Sequence, residues 1–346
     1  MNKRYLFFVS LAYSYPILRP LQEEIWRRGD EVAWYLEESC VNLLKENEKR
    51  LTTIQEVIDY KPIAVFTPEI FVYDFFPGVK VFVSHGYPIN KRGRKNDTHF
   101  FIRGWFDVYC TQGKSSTPRF KELEKKYGYF KVYETGWCKI DNFFALPSGQ
   151  TKNERPLILY SSTFSKKVTS APILLETITQ LVKTKPWDWI ITLHPRHEPE
   201  LVQKYEELAA QYENVTFCRY NDGINTFRNV DVMLSDSSSI IVELLLLDKP
   251  VVTFRNTCPG NHLINVIHEK DVGDAIEKAL TRPADLMENI KTYTAGHETH
   301  RDGKNSARVL DAVDDFILNY KDKIRKKPLN LFRKIQLRRR IKYYKF

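Results

Sequence analysis

The sequence predicts an α/β fold: two Rossmann-like domains, each built on a parallel sheet, facing one another across a cleft. Three observations lead there. Short apolar runs without period-2 alternation recur along the chain, as in strands covered on both faces. They alternate with stretches of helical periodicity, so the chain reads as successive βαβ units. The alternation fades around Pro147-Ser148-Gly149-Gln150-Thr151-Lys152-Asn153 and then starts again, and 346 residues are enough for two cores. The domains are accordingly drawn at 1–150 and 151–322, followed by a basic tail at 323–346.

In the first half, Tyr5–Val9 reads as a strand. Pro16–Arg28 follows as a helix, with Pro near its start and Gly29 as its stop. Val32–Leu36 is a strand, and Val41–Arg50 and Thr53–Asp59 read as helical. Ile63–Phe66, Val79–Val83 and Val108–Cys110 are further strands, and Pro118–Tyr127 is a helix. In the second half, Leu157–Tyr160, Trp189–Leu193, Val215–Cys218, Val230–Leu234 and Val251–Phe254 read as strands. Ile173–Lys183, Glu198–Tyr212 and Ile240–Leu247 are the intervening helices. Val309, Val313, Phe316 and Tyr320 mark one face of a last helix from Ser306 to Tyr320.

Composition narrows the class. Apolar residues make up 42% and charged residues 28%, as in a globular protein. The five cysteines are scattered without a C-x-x-C pair, which argues against a disulfide framework or a cysteine zinc site. The net charge of +10 sits almost entirely in residues 321–346, which hold twelve Lys/Arg and one Asp. A nucleic-acid binder would more often carry its basic surface on the folded body, so no nucleic-acid partner is expected. The opening MNKRYLFFVSLAY imitates a signal peptide, but its apolar run is short and meets Pro16, Arg19, Glu23 and Glu24. A strand followed by a helix is the better reading. No segment approaches the roughly 20 apolar residues needed to span a bilayer.

Ligands of open α/β sheets bind beyond the carboxyl ends of the strands, which gives each motif a test. Val79–Val83 runs through Ser84 into His85-Gly86, so His85 stands at a strand end. It suits a general base, or a histidine making local turn contacts. Trp189–Leu193 runs into His194-Pro195-Arg196-His197, clustering His and Arg where a diphosphate needs donors. His194, His197 and Glu198 could suggest a metal site, but no H-E-x-x-H pattern supplies three well-placed ligands, and none is expected. Thr135-Gly136 follows Val132-Tyr133. Val230–Leu234 stops at Ser235-Asp236-Ser237-Ser238-Ser239, which opens a helix carrying Glu243. That turn is either a phosphate seat of N–H groups and hydroxyls or an ordinary helix cap. Arg301-Asp302-Gly303-Lys304-Asn305 reads as a D-G turn with a helix cap, or as a basic pair, completed by Arg308, returning to the phosphates.

Together these motifs resemble the CDP-glycerol glycerophosphotransferase family, enzymes of teichoic-acid-like polymer synthesis. The resemblance rests on Ser84-His85-Gly86-Tyr87-Pro88, Thr135-Gly136 with Asp141, Ile158-Leu159-Tyr160-Ser161-Ser162-Thr163-Phe164, and Leu193-His194-Pro195. It continues through Ser235-Asp236-Ser237-Ser238-Ser239 with Glu243, Lys249-Pro250, and Asp302-Gly303-Lys304 with Arg308. It covers about residues 79–310. It implies the GT-B fold, His85 as catalytic base, and a CDP-linked diphosphate held by His194 and the serines after Asp236. It also implies Glu243 near the ribose and Arg308 near the phosphates. Ser84, Tyr87, Cys138-Lys139 and Glu243 depart from residues the family often has there. The serine motif with Lys249-Pro250-Val251 fits UDP-sugar 2-epimerases nearly as well, and the His85-Gly86 and His194-Pro195 pair tips the balance.

The expected reaction is transfer of glycerol phosphate from CDP-glycerol to a hydroxyl of a glycan or lipid-linked acceptor, with release of CMP. His194, Arg196 and Ser237–Ser239 would stabilise the diphosphate. The alternative is a glycosyltransferase or epimerase using a nucleotide sugar. No cofactor is required, and Mg²⁺ carried by the donor's phosphates stays open. The tail interleaves its basic residues with Leu331, Phe332, Ile335, Leu337, Ile341, Tyr343, Tyr344 and Phe346. It reads as attraction to an anionic membrane surface, or as a solvated, disordered end. The first reading makes the protein a cytoplasmic enzyme, peripheral on the inner face of the plasma membrane.

Overall fold

The structure is a computed structural model that describes residues 2–87, 98–144, 153–194, 196–219 and 224–344. Met1, Pro88, Pro195, Lys345, Phe346 and all of the 147–153 stretch except Asn153 lie outside the described residues. The chain divides into two compact units. Among the described residues, the first comprises 2–87, 98–144 and 297–344, and the second 153–194, 196–219 and 224–296.

The first unit is built on seven parallel strands: β1 (Arg4–Val9), β2 (Glu31–Leu36), β3 (Arg50–Leu51), β4 (Ala64–Thr67), β5 (Val79–Val83), β6 (Val108–Thr111) and β7 (Lys131–Glu134). Their order is β3-β2-β1-β4-β5-β6-β7. The chain works outward from β1, then crosses back for β4, so the topological switch lies between β1 and β4. Every residue of β4 and β5 is buried, and all but Thr67 and Lys80 are apolar, as expected for strands covered on both faces. Helix Tyr15–Arg27 buries Ile17, Leu18, Leu21 and Ile25, one face at helical spacing. Gly29, at φ 76, ends it in a conformation that favours glycine.

The second unit is built on six parallel strands: β8 (Leu157–Ser162), β9 (Asp188–Leu193), β10 (Val215–Phe217), β11 (Val232–Ser235), β12 (Val251–Phe254) and β13 (Ile264–Val266). Their order is β10-β9-β8-β11-β12-β13, so the switch lies between β8 and β11. Tyr160, Trp189, Tyr205 and Leu234 fill its core. β13 and the helices Val272–Leu280 and Ala284–His297 are additions to the sequence reading.

Three expectations change. The stretch 41–49 is not helical. Side chains of the first helix satisfy its backbone instead: Tyr15 Oη donates to Val41 O at 2.9 Å, and Arg19 Nη2 donates to Leu43 O at 2.6 Å. Glu48 is drawn inward, accepting from Arg19 and Gln22. Segment 297–322, expected with the second domain, belongs to the first unit. Helix Asn305–Asn319 buries Val309, Val313 and Phe316 there, and ion pairs Arg28–Asp311 and Lys3–Asp314 lie beside that face. Its apolar stripe told that it packs, not against which sheet.

The third change is the tail, which is docked on the first unit. Helix Leu331–Arg340 has Leu337 against the core, and Ile341 follows it there. Arg338, 6% exposed, pairs with Asp74 at 2.8 Å, Arg340 pairs with Glu37, and Lys327 pairs with Asp107 at 2.8 Å. Tyr343 lies on Phe75 with ring centroids 4.2 Å apart. The net charge of the segment, read as if free, is therefore partly spent inside the fold. No helix among the described residues is long and apolar enough to cross a membrane.

Candidate active site

In the first unit, β5 delivers His85 to the carboxyl end of the sheet, where it is exposed. Its ring lies 6.1 Å from Tyr13 and 5.3 Å from His99. A pocket of about 230 Å³ opens beside it, with Phe82, Phe106, Tyr109 and Phe120 among its walls and His85, His99 and Arg103 as its polar members. At the neighbouring switch point, Glu69 is buried and accepts from Tyr13 Oη at 2.9 Å, Ser14 Oγ at 3.1 Å and Ser10 N at 3.4 Å. Burial and the Glu69 carboxylate hold the Tyr13 hydroxyl far above its ordinary range, so Tyr13 acts there as a neutral donor.

The turn carrying His85 is tied down by a buried carboxylate that sequence reasoning missed. Trp137 Nε1 donates to Ser84 O at 2.7 Å, and Ser84 Oγ donates to Gly86 O at 2.9 Å. Glu298, 2% exposed, accepts from Tyr87 Oη at 2.7 Å and from Trp137 N at 3.2 Å on one oxygen. Its other oxygen accepts from Asn305 Nδ2 and His300 N, both at 3.4 Å. Gly136 sits against this network at φ 79, and a Cβ there would lie 2.5 Å from Glu298 Oε1 and 2.3 Å from Asn305 Oδ1. Thr135, also buried, donates its hydroxyl to Gly136 O. Burial pushes the Glu298 carboxyl up to about 8, against the pull of its hydrogen bonds.

Asp141, Asp302, Gly303 and Arg308 join the same side of the first unit in structural roles. Asp141 accepts from Asn305 N at 2.8 Å and Ser306 N at 2.7 Å, capping helix Asn305–Asn319 from another element. Arg308 forks onto Asp302 at 2.8 and 2.5 Å and reaches Asn305 Oδ1 at 3.1 Å. That fork holds the Asp302 carboxyl down at about 2. Gly303, at φ 69, completes the D-G turn. Arg308, which the resemblance gives to the donor's phosphates, is thus a residue of the first unit engaged by Asp302.

In the second unit, β8, β9 and β11 are neighbours, so Thr163, His194 and the serine turn emerge from adjacent strand ends at the switch point. His194 is exposed and lies on Phe164 with ring centroids 4.3 Å apart, and the Arg196 guanidinium lies 5.4 Å from the same ring. Arg196 N donates to His194 Nδ1 at 3.1 Å, which leaves Nε2 as the N–H of the neutral ring. Among the described residues, no group of three or more His, Cys, Asp and Glu is placed to hold a metal ion.

The serine turn splits into inner and outer residues. Ser235 and Asp236 are fully buried. Ser235 Oγ donates to Ser161 O at 2.7 Å. The Asp236 carboxylate accepts from Ser162 Oγ at 2.6 Å, Thr163 N at 3.1 Å, Ser170 N at 3.0 Å and Ser237 N at 2.7 Å. Asp236 therefore shapes the loop that presents Thr163 and Phe164, rather than facing a ligand. Ser237 is held by Thr257, whose N donates to its Oγ at 3.0 Å. Ser238 and Ser239 are half-buried, and Glu243 is buried in the first turn of helix Ile240–Leu246.

The same strand-end test that selected His85 would have selected Tyr13, after β1, and Glu69, after β4. Nothing local marks Glu298 as a partner of the His85 turn, because Tyr87 and Trp137 are remote from it in sequence.

A family model described as UDP-N-acetylglucosamine 2-epimerase matches residues 160–314. No curated protein matches the chain in sequence. Among solved structures, the wall teichoic acid polymerase TagF is 13% identical, with a TM-score of 0.66 over 90% of this chain and 89% of that one. The UDP-GlcNAc 2-epimerase from Neisseria meningitidis, bound to UDP-GlcNAc, is 14% identical, with a TM-score of 0.55 over 90% of this chain and 100% of that one. A co-structure of S. aureus MnaA with UDP is 14% identical, with a TM-score of 0.55 over 93% and 98%. At such identities the likeness speaks for the fold. With its two parallel sheets and interleaved helices, the chain has the GT-B fold, similar to both the teichoic-acid polymerase and the 2-epimerases.

Proposed function

We propose that the protein transfers glycerol phosphate from CDP-glycerol to a hydroxyl acceptor. One observation carries the reading: each unit presents an exposed histidine just beyond a strand's carboxyl end, His85 after β5 and His194 after β9. Phosphoryl transfer needs a positioned base for the acceptor and positioned positive charge for the diphosphate. His85 takes the acceptor proton, and the acceptor oxygen forms a bond to the donor's β-phosphorus. The bond from that phosphorus to the bridging oxygen breaks, and CMP leaves with the electron pair. His194 Nε2–H, Arg196 and the half-buried Ser238 and Ser239 supply donors to the phosphates. TagF, similar in fold, has been solved after a soak with CDPG.

The match to the 2-epimerase model over 160–314 favours a second reading, a UDP-sugar enzyme. Purified protein incubated with CDP-glycerol or UDP-GlcNAc, with and without Mg²⁺, separates them. Release of CMP, lost by about 10²–10⁴ in His85→Ala, is expected. UDP release or epimerised sugar, with no CMP, would replace the first reading by the second. Peripheral membrane placement is part of the proposal and rests on the outer face of the docked tail. Leu329, Leu331 and Phe332 are exposed there, close in sequence to Arg339 and Lys342.

A further inference from the structure

The pocket beside His85 carries chemistry that the transfer reading leaves unassigned. Its walls are aromatic, with Phe82, Phe106, Tyr109 and Phe120 among them. A fully polar acceptor, such as a bare glycerol phosphate end, has nothing to place against them. The rim is cationic. Arg103 lines the pocket and lies 5.0 Å from the Phe101 ring, and Arg333 approaches the same ring at 5.8 Å.

The two arginines are held together from behind. Arg333 Nη1 donates to Arg103 O at 3.0 Å, and Asn330 Nδ2 donates to the same oxygen at 2.7 Å. Among the described residues no carboxylate pairs with either. The partners of their guanidinium groups are the Phe101 and Arg103 carbonyls and the Asn330 side-chain oxygen. Burial first, and the Arg333 charge after it, push the Arg103 guanidinium below its ordinary value. An anion with an apolar substituent satisfies both features at once.

We infer that this pocket is an acceptor subsite for an organic phosphate bearing an apolar substituent. The apolar part lies against Phe82, Phe106, Tyr109 and Phe120, and the phosphate lies at Arg103. The inference rests on the reading of His85 as the acceptor's base, since the pocket opens beside that side chain. The docked tail is then part of the site, because Asn330 and Arg333 hold its rim.

Calorimetric titration tests this without turnover, using octyl phosphate, inorganic phosphate and octanol as probes. Octyl phosphate is expected to bind at least about tenfold more tightly than either of the others, since the pocket engages both halves of it. Arg103→Gln is expected to erase its advantage over octanol, and Phe101→Ala, at an exposed ring, to weaken it with the fold intact. Titration with phosphatidylglycerol vesicles assigns the source. Vesicle binding that also depends on Arg103 assigns the ligand to a lipid, and Arg103-independent vesicle binding assigns it to a soluble phosphate. Octyl phosphate binding no better than its two halves, or unchanged in both variants, overturns the inference. Binding without CMP release would retire the transfer reading and leave the subsite standing.

Discussion

Glu298 offers the sharpest test of how the His85 turn is held. In Glu298→Ala, Tyr87 Oη and Trp137 N lose their buried acceptor. Each such loss costs about 1–3 kcal/mol, so the turn should loosen and the first unit should weaken together. Glu298→Gln keeps one oxygen for those two donors and should retain most of both. The carboxyl also writes a pH signature. Its value rises from 4.5 to about 8 on folding, mainly through burial. A carboxyl that binds its proton more tightly in the folded chain adds stability that is fully present below about pH 4.5. That stability is lost as pH rises through about 8, with a slope of about 1.4 kcal/mol per pH unit. Glutamine has no such proton. Urea unfolding of both proteins, followed by tryptophan fluorescence from about pH 5 to pH 9, should show the wild type losing ground to Glu298→Gln up to about pH 8, after which the curves run parallel. Parallel curves throughout would refute the buried, proton-holding carboxyl. In CMP-release assays, a fall in kcat for Glu298→Ala with donor KM unchanged would place its effect on His85 and not on the donor.

Two further outcomes follow from the same geometry. Gly136→Ala places a Cβ 2.3 Å from Asn305 Oδ1 at φ 79, so loss of at least about 2 kcal/mol and of most activity is expected, read by thermal unfolding and CMP release. Deleting residues 325–346 removes the ion pairs to Asp74, Glu37 and Asp107 together with the packing of Leu337 and Ile341, worth about 2 kcal/mol or more, so the truncated chain should melt earlier; an unchanged melting curve would mean that the tail is not docked in solution.

The sheets were legible because their strands are buried on both faces and therefore mostly apolar, as in β5 and β12, where Lys80 and Thr253 are the polar exceptions. The strand ends were legible with them: His85 follows β5 and His194 follows β9, and both side chains are exposed. What the chain does not spell out locally is which polar residues face inward. Asp236 looks like a ligand-facing carboxylate by motif, yet it accepts from Ser162, Thr163, Ser170 and Ser237 and is fully buried. A carboxylate saturated by neighbouring donors and one poised for a ligand have the same sequence signature, because the difference lies in which loops fold over it.

The tail shows the same limit in charge rather than in hydrogen bonding. Its composition matches a membrane-seeking terminus, and a charge count assigns the whole excess to solvent or lipid. Arg338, Arg340 and Lys327 instead answer Asp74, Glu37 and Asp107, acids far earlier in the chain whose partners no local pattern could name. Docking these cations costs desolvation, which the pairs and the packing of Leu337 and Ile341 offset. The docked helix still presents Leu331 and Phe332 outward. The proposed membrane role therefore belongs to one face of a folded element that also supports the His85 pocket. The two roles separate by substitution: Phe332→Asp should lower recovery with phosphatidylglycerol vesicles in flotation, because a negative charge replaces the most solvent-exposed ring among the described residues of the tail. Octyl phosphate affinity should stay unchanged, because Asn330 and Arg333 still hold Arg103. Loss of both together would mean that the outer face and the pocket rim form one site.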